Sequence, residues 1–224
     1  MLTIPDIVGK LESLINNPNK GYKTMLPKLS KASKMNCKSF SLPVNLEVCK
    51  GMIDATGKVK PVCQSCYAKK GFYHMPVVKA VRENNLIASK KIDFAKQMIK
   101  LLEKQKYFRW FDSGDVYDND FLRKIEEICF NTPQVKHWLP TKSRELFNQL
   151  TWARLEALPN VTVRYSSPSI IGTYEEKHGS TVSSVIKKST KDLFYCPASK
   201  QKGKCNDCRA CWNKNLKVVS YLKH

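Results

Sequence analysis

Four cysteines within sixteen residues, Cys196, Cys205, Cys208 and Cys211, constrain this chain more than any other feature. The last three are separated by two residues each. A thiol that only fills a core can be replaced by any small apolar side chain, so four at this density point to a shared ligand. Two-residue spacing lets consecutive side chains converge on one centre while the intervening amides turn toward sulfur. Runs of Cys-x-x-Cys-x-x-Cys with a more distant fourth Cys are a common way to hold a [4Fe–4S] cluster. Zinc is the nearest rival, but structural zinc sites usually pair two Cys-x-x-Cys knuckles, whereas here three thiols share one run. Four free structural cysteines is the reading that explains the spacing least. Residues 196–212 therefore form a cluster-binding segment that the rest of the chain must present.

The chain has 224 residues with 42% hydrophobic and 10% aromatic content, enough for a single α/β domain with an ample core. No basic stretch followed by an apolar one opens it, so a secretory signal is not expected, and no apolar run reaches the length of a membrane span. Nine cysteines, an odd number, in a chain without an export signal argue for metal binding in a reducing cytoplasm rather than a disulfide framework. The formal charge of +20 favours nucleic acid or another polyanion as a nonspecific partner. Its lysines are scattered, however, and Lys, Asn and Ile are all abundant, as an AT-rich coding sequence would produce. No arginine-rich arm or aromatic RNA-binding motif accompanies the charge, so dedicated sequence reading is not expected.

Thr3-Ile-Pro-Asp6 resembles a helix start, and Ile7, Leu11, Leu14 and Ile15 recur at helical spacing before Asn16-Asn-Pro18. Residues 1–35 thus read as an N-terminal helix and basic linker. A first strand is expected over 38–43, followed by a long irregular stretch, 44–75, that carries Cys49, Cys63 and Cys66. A loop of that length inside a compact domain is usually functional or held by something else. These three thiols are a candidate second metal site, the alternative being that Cys63 and Cys66 are small packed residues. Residues 77–104 read as two helical segments or one bent one. Strands are expected at 107–111, 135–139, 161–165, 182–186, 193–195 and 216–222, with helices over 120–130 and 144–157; Cys129 reads as core. From residue 107 the strands recur at 26 to 28 residues, the rhythm of βα units in a parallel sheet. No glycine-rich phosphate-binding motif is present. The expected architecture is α/β, a partial or distorted (β/α) barrel, with an open doubly wound sheet as the alternative.

Functional side chains of such barrels collect where strands meet the loops at their carboxyl ends. Those positions read Asp112-Ser113-Gly114-Asp115, Thr141-Lys142-Ser143, Ser166-Ser167, Cys196 and His224. A parallel sheet would place them at one mouth, beside the centre that Cys196 helps to hold. Asp112, Asp115, Lys142 and His224 are then the candidate catalytic groups, and Ser113, Gly114 and Ser166 the candidate cofactor contacts. Each has an ordinary alternative: Asp115 capping a turn, Ser143 capping a helix, His224 solvated at the terminus.

The order Ser41-Leu-Pro43, Cys63-x-x-Cys66-Tyr-Ala-Lys-Lys-Gly71, Asp112-Ser-Gly-Asp115, Cys196-Pro and Cys205-x-x-Cys-x-x-Cys211-Trp resembles the Gene product 88 family of bacteriophages and mobile elements. The resemblance runs from about residue 38 to the end and implies action in the bacterial host cytoplasm, without bringing a reaction. A looser likeness is to radical S-adenosylmethionine enzymes, which place three cysteines in the loop after the first barrel strand and leave one iron open. Cys49, Cys63 and Cys66 occupy a comparable place, and S-adenosylmethionine is the cofactor this likeness implies. Their spacing of thirteen and two residues departs from the compact three and two of that superfamily, and its glycine-glycine-acid motif is missing.

Two functions follow. One is an iron–sulfur enzyme with redox or radical chemistry at the barrel mouth, acting on a small molecule or a redox partner. The other is a non-catalytic module in which an iron–sulfur cluster or zinc stiffens a basic surface that engages nucleic acid or a host protein. Cys37, just before the first strand, is expected at the opposite end from Cys49, Cys63 and Cys66, and so does not complete that set.

Overall fold

The computed structural model describes residues 25–172, 174, 181–187 and 193–222. The helix expected at the amino terminus and His224 lie outside them. Eight strands form one sheet: β1 (Ser30–Lys31), β2 (Lys38–Phe40), β3 (Tyr107–Trp110), β4 (Lys136–Thr141), β5 (Val161–Ser166), β6 (Thr181–Ile186), β7 (Phe194–Tyr195) and β8 (Val218–Leu222). Their order is β1-β2-β3-β4-β5-β6-β8-β7. Only β1 runs antiparallel, against β2; every other neighbouring pair is parallel. The helices are α1 (Pro61–Gln64), α2 (Pro76–Lys90), α3 (Phe94–Leu102), α4 (Asn119–Phe130) and α5 (Gln149–Ala157).

Local chemistry explains most boundaries. The Asp118 carboxylate accepts from the Phe121 amide at 2.7 Å and starts α4, where Phe121, Leu122, Ile125, Ile128 and Cys129 are buried at helical spacing. Cys129 is fully enclosed core, as its apolar neighbours in sequence predict. α5 begins at Gln149, later than expected, because the Asn148 side chain accepts from the Thr151 amide at 2.9 Å and caps it there. The helical stretch after residue 76 is two helices, α2 and α3.

Strand alternation sorts side chains onto two faces. Phe40, Phe108, Trp110, Leu139, Val161 and Val163 join one core with Leu86 of α2, Phe94 and Met98 of α3, Phe121 of α4 and Trp152 of α5. The other face carries Trp138, Thr162 and Arg164 and is covered by the segment after β7. Trp212 lies on Trp138 with ring centroids 5.4 Å apart, and Thr162 donates to the Trp212 carbonyl at 2.8 Å.

The expected α/β class and parallel sheet are present, but the sheet is open and no closed barrel forms. β2 to β6 follow one another as in a barrel, yet the edges are β1 and β7, and β8 inserts between β6 and β7. Bulky side chains and the 196–213 segment occupy the face that closure would enclose. The doubly wound alternative also fails, because among the described residues α2–α5 all pack on one face.

Candidate metal centre

The C-terminal cysteines are held by turns laid across the sheet. Cys196 follows β7 and its amide donates to the Ser220 carbonyl of β8 at 2.8 Å. The Cys205 amide donates to the Lys34 carbonyl at 2.7 Å, tying the segment to the turn before β2. The Cys208 amide donates to the Cys205 carbonyl at 2.9 Å. The Trp212 indole donates to the Phe108 carbonyl at 3.0 Å. Cys196, Cys205, Cys208 and Cys211 all line one small cavity, with Ala198, Trp212 and Val219 among its apolar walls. No three Cys, His, Asp or Glu side chains among the described residues converge as ligands of a single ion.

Arg164 anchors this segment. It is fully buried in β5 and donates to the carbonyls of Cys211 at 3.1 Å, Ala210 at 3.0 Å, Asn213 at 2.9 Å and Leu216 at 2.9 Å. Further bonds reach Val182 and Lys217. All six acceptors are neutral carbonyls. Burial pushes the Cys211 thiol up to about 12, against the pull of the Tyr221 hydroxyl, 3.1 Å away, and of Arg164. Burial also raises Cys196 and Cys205. A bound metal would displace those protons.

Cys37 belongs beside this set. It is buried with Met35, Trp138 and Trp212, and Cys205 and Cys211 pack against the same group. It is therefore apart from Cys49, Cys63 and Cys66, as its position before β2 predicts.

Those three gather at the carboxyl ends of the strands. Cys49 flanks a turn, Lys50–Met52, whose Gly51 lies so close to β4 that an added Cβ would stand 2.4 Å from the Lys142 carbonyl. Burial raises the Cys49 thiol to about 12; Asp115, Cys66 and Cys63 add to the rise, and Lys142 opposes it. Cys63 feels the same neighbours and is raised by burial. Asp115 and Lys142 thus accompany the first cysteine set, while the C-terminal four lie over the sheet face, toward Cys37 and Lys34.

The remaining strand-end residues are largely committed to holding loops. Asp115 accepts from the Thr141 hydroxyl at 2.7 Å, the Val116 amide at 2.8 Å and the Lys142 amide at 2.7 Å, clipping the end of β3 to that of β4. Ser113 donates to the Leu42 carbonyl at 2.8 Å. Gly114, at φ +83°, leaves no room for a Cβ, which would sit 2.5 Å from Leu42 Cβ. Ser166 lies opposite Ser183 in the β5–β6 ladder. Asp112 accepts from Arg109 at 2.9 Å and from the Tyr73 hydroxyl at 2.6 Å, while its backbone carbonyl accepts from the Tyr67 hydroxyl at 2.6 Å.

Arg109, Arg164, Tyr67 and Tyr73 escape a reading of the sequence by motif. The available signal was a cation inside an otherwise buried strand: Arg109 within Tyr107-Phe-Arg-Trp-Phe111, and Arg164 within Val161-Thr-Val-Arg-Tyr165. Arg109 stands between the two cysteine sets. It pairs with Asp112 and lies 4.8 Å over the Trp138 ring, and its charge lowers the Cys37, Cys205 and Cys211 thiols against their burial.

Fold and site together define a mixed α/β protein whose open parallel sheet carries helices on one face and a cysteine-rich segment on the other. The Gene product 88 family model matches residues 13–214, and the chain belongs to that family. No curated protein and no solved structure matches it, and the looser likeness to radical S-adenosylmethionine enzymes finds no support in these comparisons.

Proposed function

We propose that this is an iron–sulfur protein in which Cys196, Cys205, Cys208 and Cys211 hold one [4Fe–4S] cluster over the sheet face. The carrying observation is that all four thiols, spaced as Cys-x-x-Cys-x-x-Cys with a more distant fourth, line one small cavity. Arg164, by gripping the carbonyls on both sides of Cys211, fixes where that thiol points and sets a buried positive charge beside an anionic centre. The cluster, when bound, supplies one-electron transfer.

Cys49, Cys63 and Cys66 form the candidate second centre. Three thiols leave one position open for a substrate or for S-adenosylmethionine, and redox or radical chemistry on a small molecule in the bacterial host cytoplasm is the activity this arrangement would serve. The engagement of Asp115, Ser113 and Gly114 in loop contacts favours a second reading, a metal-stabilised binding module without a reaction. Protein purified without oxygen, assayed for iron and sulfide and examined by electron paramagnetic resonance, tests the first claim. The expected result is a brown protein with about four irons and four sulfides per filled site. Colourless protein with one zinc per chain rejects it. Cleavage of added S-adenosylmethionine by the reduced protein would separate enzyme from module.

A further inference from the structure

Arg82 on α2 is 6% exposed, yet it makes no hydrogen bond or ion pair with any described residue. It lies instead over the face of Tyr73, 4.4 Å from the ring centroid. Buried cations are almost always paired, because losing water without an acceptor is costly. The nearby carboxylate of Asp112 is already shared between Arg109 and Tyr73. A forked cation in such a setting matches an oxyanion, which it can bind through two parallel bonds.

The turn stacked on Arg82 has an unusual outer surface. Tyr67 is 52% exposed and Phe72 83% exposed, and Lys69 and Lys70 stand exposed between them. Tyr67 meets Tyr73 edge to face at 5.5 Å, so Tyr67, Tyr73 and Arg82 are in continuous contact. Exposed rings interleaved with cations are features that hold single-stranded nucleic acid without sequence preference. A lipid surface would want a continuous apolar face instead. The excess of 39 basic over 19 acidic residues supplies the long-range attraction.

We propose that the surface formed by residues 67–75 and Arg82 binds single-stranded nucleic acid, with Tyr67 and Phe72 stacking on bases and Arg82, Lys69 and Lys70 meeting phosphates. The proposal does not rest on the cluster proposed for Cys196, Cys205, Cys208 and Cys211.

Fluorescence anisotropy with a labelled twenty-nucleotide oligothymidylate, across a sodium chloride series, tests it on the full chain. Binding should weaken steeply with salt and lengthen in reach with the oligonucleotide. Phe72→Ala, at an exposed side chain whose loss does not threaten folding, should weaken it by about five- to a hundredfold. Lys69→Ala with Lys70→Ala should flatten the salt slope by about 1.4. Arg82→Lys, which keeps the charge and loses the fork, should also weaken it. Lys100→Ala with Lys104→Ala, at the opposite end of the sheet before β3, should leave it unchanged. Absence of binding at low salt, equal loss in the control pair, or equal affinity for duplex of the same length overturns the proposal. Thymidine monophosphate binding as tightly as the oligonucleotide would reveal a small-anion site only and likewise overturn it.

Discussion

His137 shows how one buried side chain sets a pH limit on this protein. Its ring lies in the helix-side core, stacked on Trp110 at 6.3 Å. The Thr132 hydroxyl donates to the Ile128 carbonyl at 2.6 Å, so its oxygen accepts from His137 Nε2–H at 2.9 Å. Nδ1 is then the bare nitrogen, buried without a partner. Burial lowers the imidazole from 6.5 to about 3. Below pH 6.5 the unfolded chain takes up a proton that folded His137 refuses until about pH 3, so stability falls as pH drops through that window. The loss accrues at about 1.4 kcal/mol per unit of difference, a few kcal/mol in all. Urea unfolding between pH 7 and pH 4 should show that decline, and His137→Gln, which keeps the donor and cannot charge, should remove most of it.

Two elements depend on single residues that nothing nearby can replace. The turn Asp112–Asp115 meets the chain after β2 through Gly114, where both the positive φ and the 2.5 Å approach to Leu42 exclude a side chain. Gly114→Ala should cost more than about 2 kcal/mol, read as a fall in melting temperature, because strain and overpacking act together. The segment covering the sheet depends on Arg164 in a different way. Its six carbonyl acceptors belong to β6 and to residues 210–217, so the guanidinium substitutes for the ladder those turns lack. Arg164→Met preserves much of the volume but strands those carbonyls. The expected outcome is a loss of about 3 kcal/mol or more, with fast hydrogen exchange confined at first to residues 205–216.

At the scale of the whole molecule the two faces of the sheet differ in what stabilises them. The helix side is a continuous apolar core reaching from Phe40 to Val163. The opposite side has a small group, Met35, Cys37, Trp138 and Trp212, under a segment built of short turns. A ligand that binds only the folded segment should contribute a large part of that face's stability. If the segment holds the proposed cluster, removing it with a chelator should free the C-terminal thiols to alkylation and open Trp212 to solvent, while helical circular dichroism persists. Simultaneous loss of helix signal would show instead that the two faces fold as one unit. Among the described residues no helix is long and apolar enough to cross a membrane, and every cysteine is free.

The sequence by itself determined the elements. Apolar periodicity and capping groups such as Asp118 act over a few residues, so α2 to α5 and the strands β3 to β6 were readable from their own stretches. The cysteine spacing that marks residues 196–211 is local for the same reason, and so is the core role of Cys129. Tertiary structure alone decided which thiols keep company, because Cys37 meets Cys205 across most of the chain's length. It also decided that Asp115 would spend its oxygens on Thr141, Val116 and Lys142, which depends on how β3 and β4 lie in register. Closure of the sheet was the same kind of question. Strand rhythm predicts a succession of βα units, but whether their edges meet depends on what fills the inner face. Here the bulk of Trp138, Trp212 and Arg164 beneath the cysteine segment fills that face and leaves the sheet open.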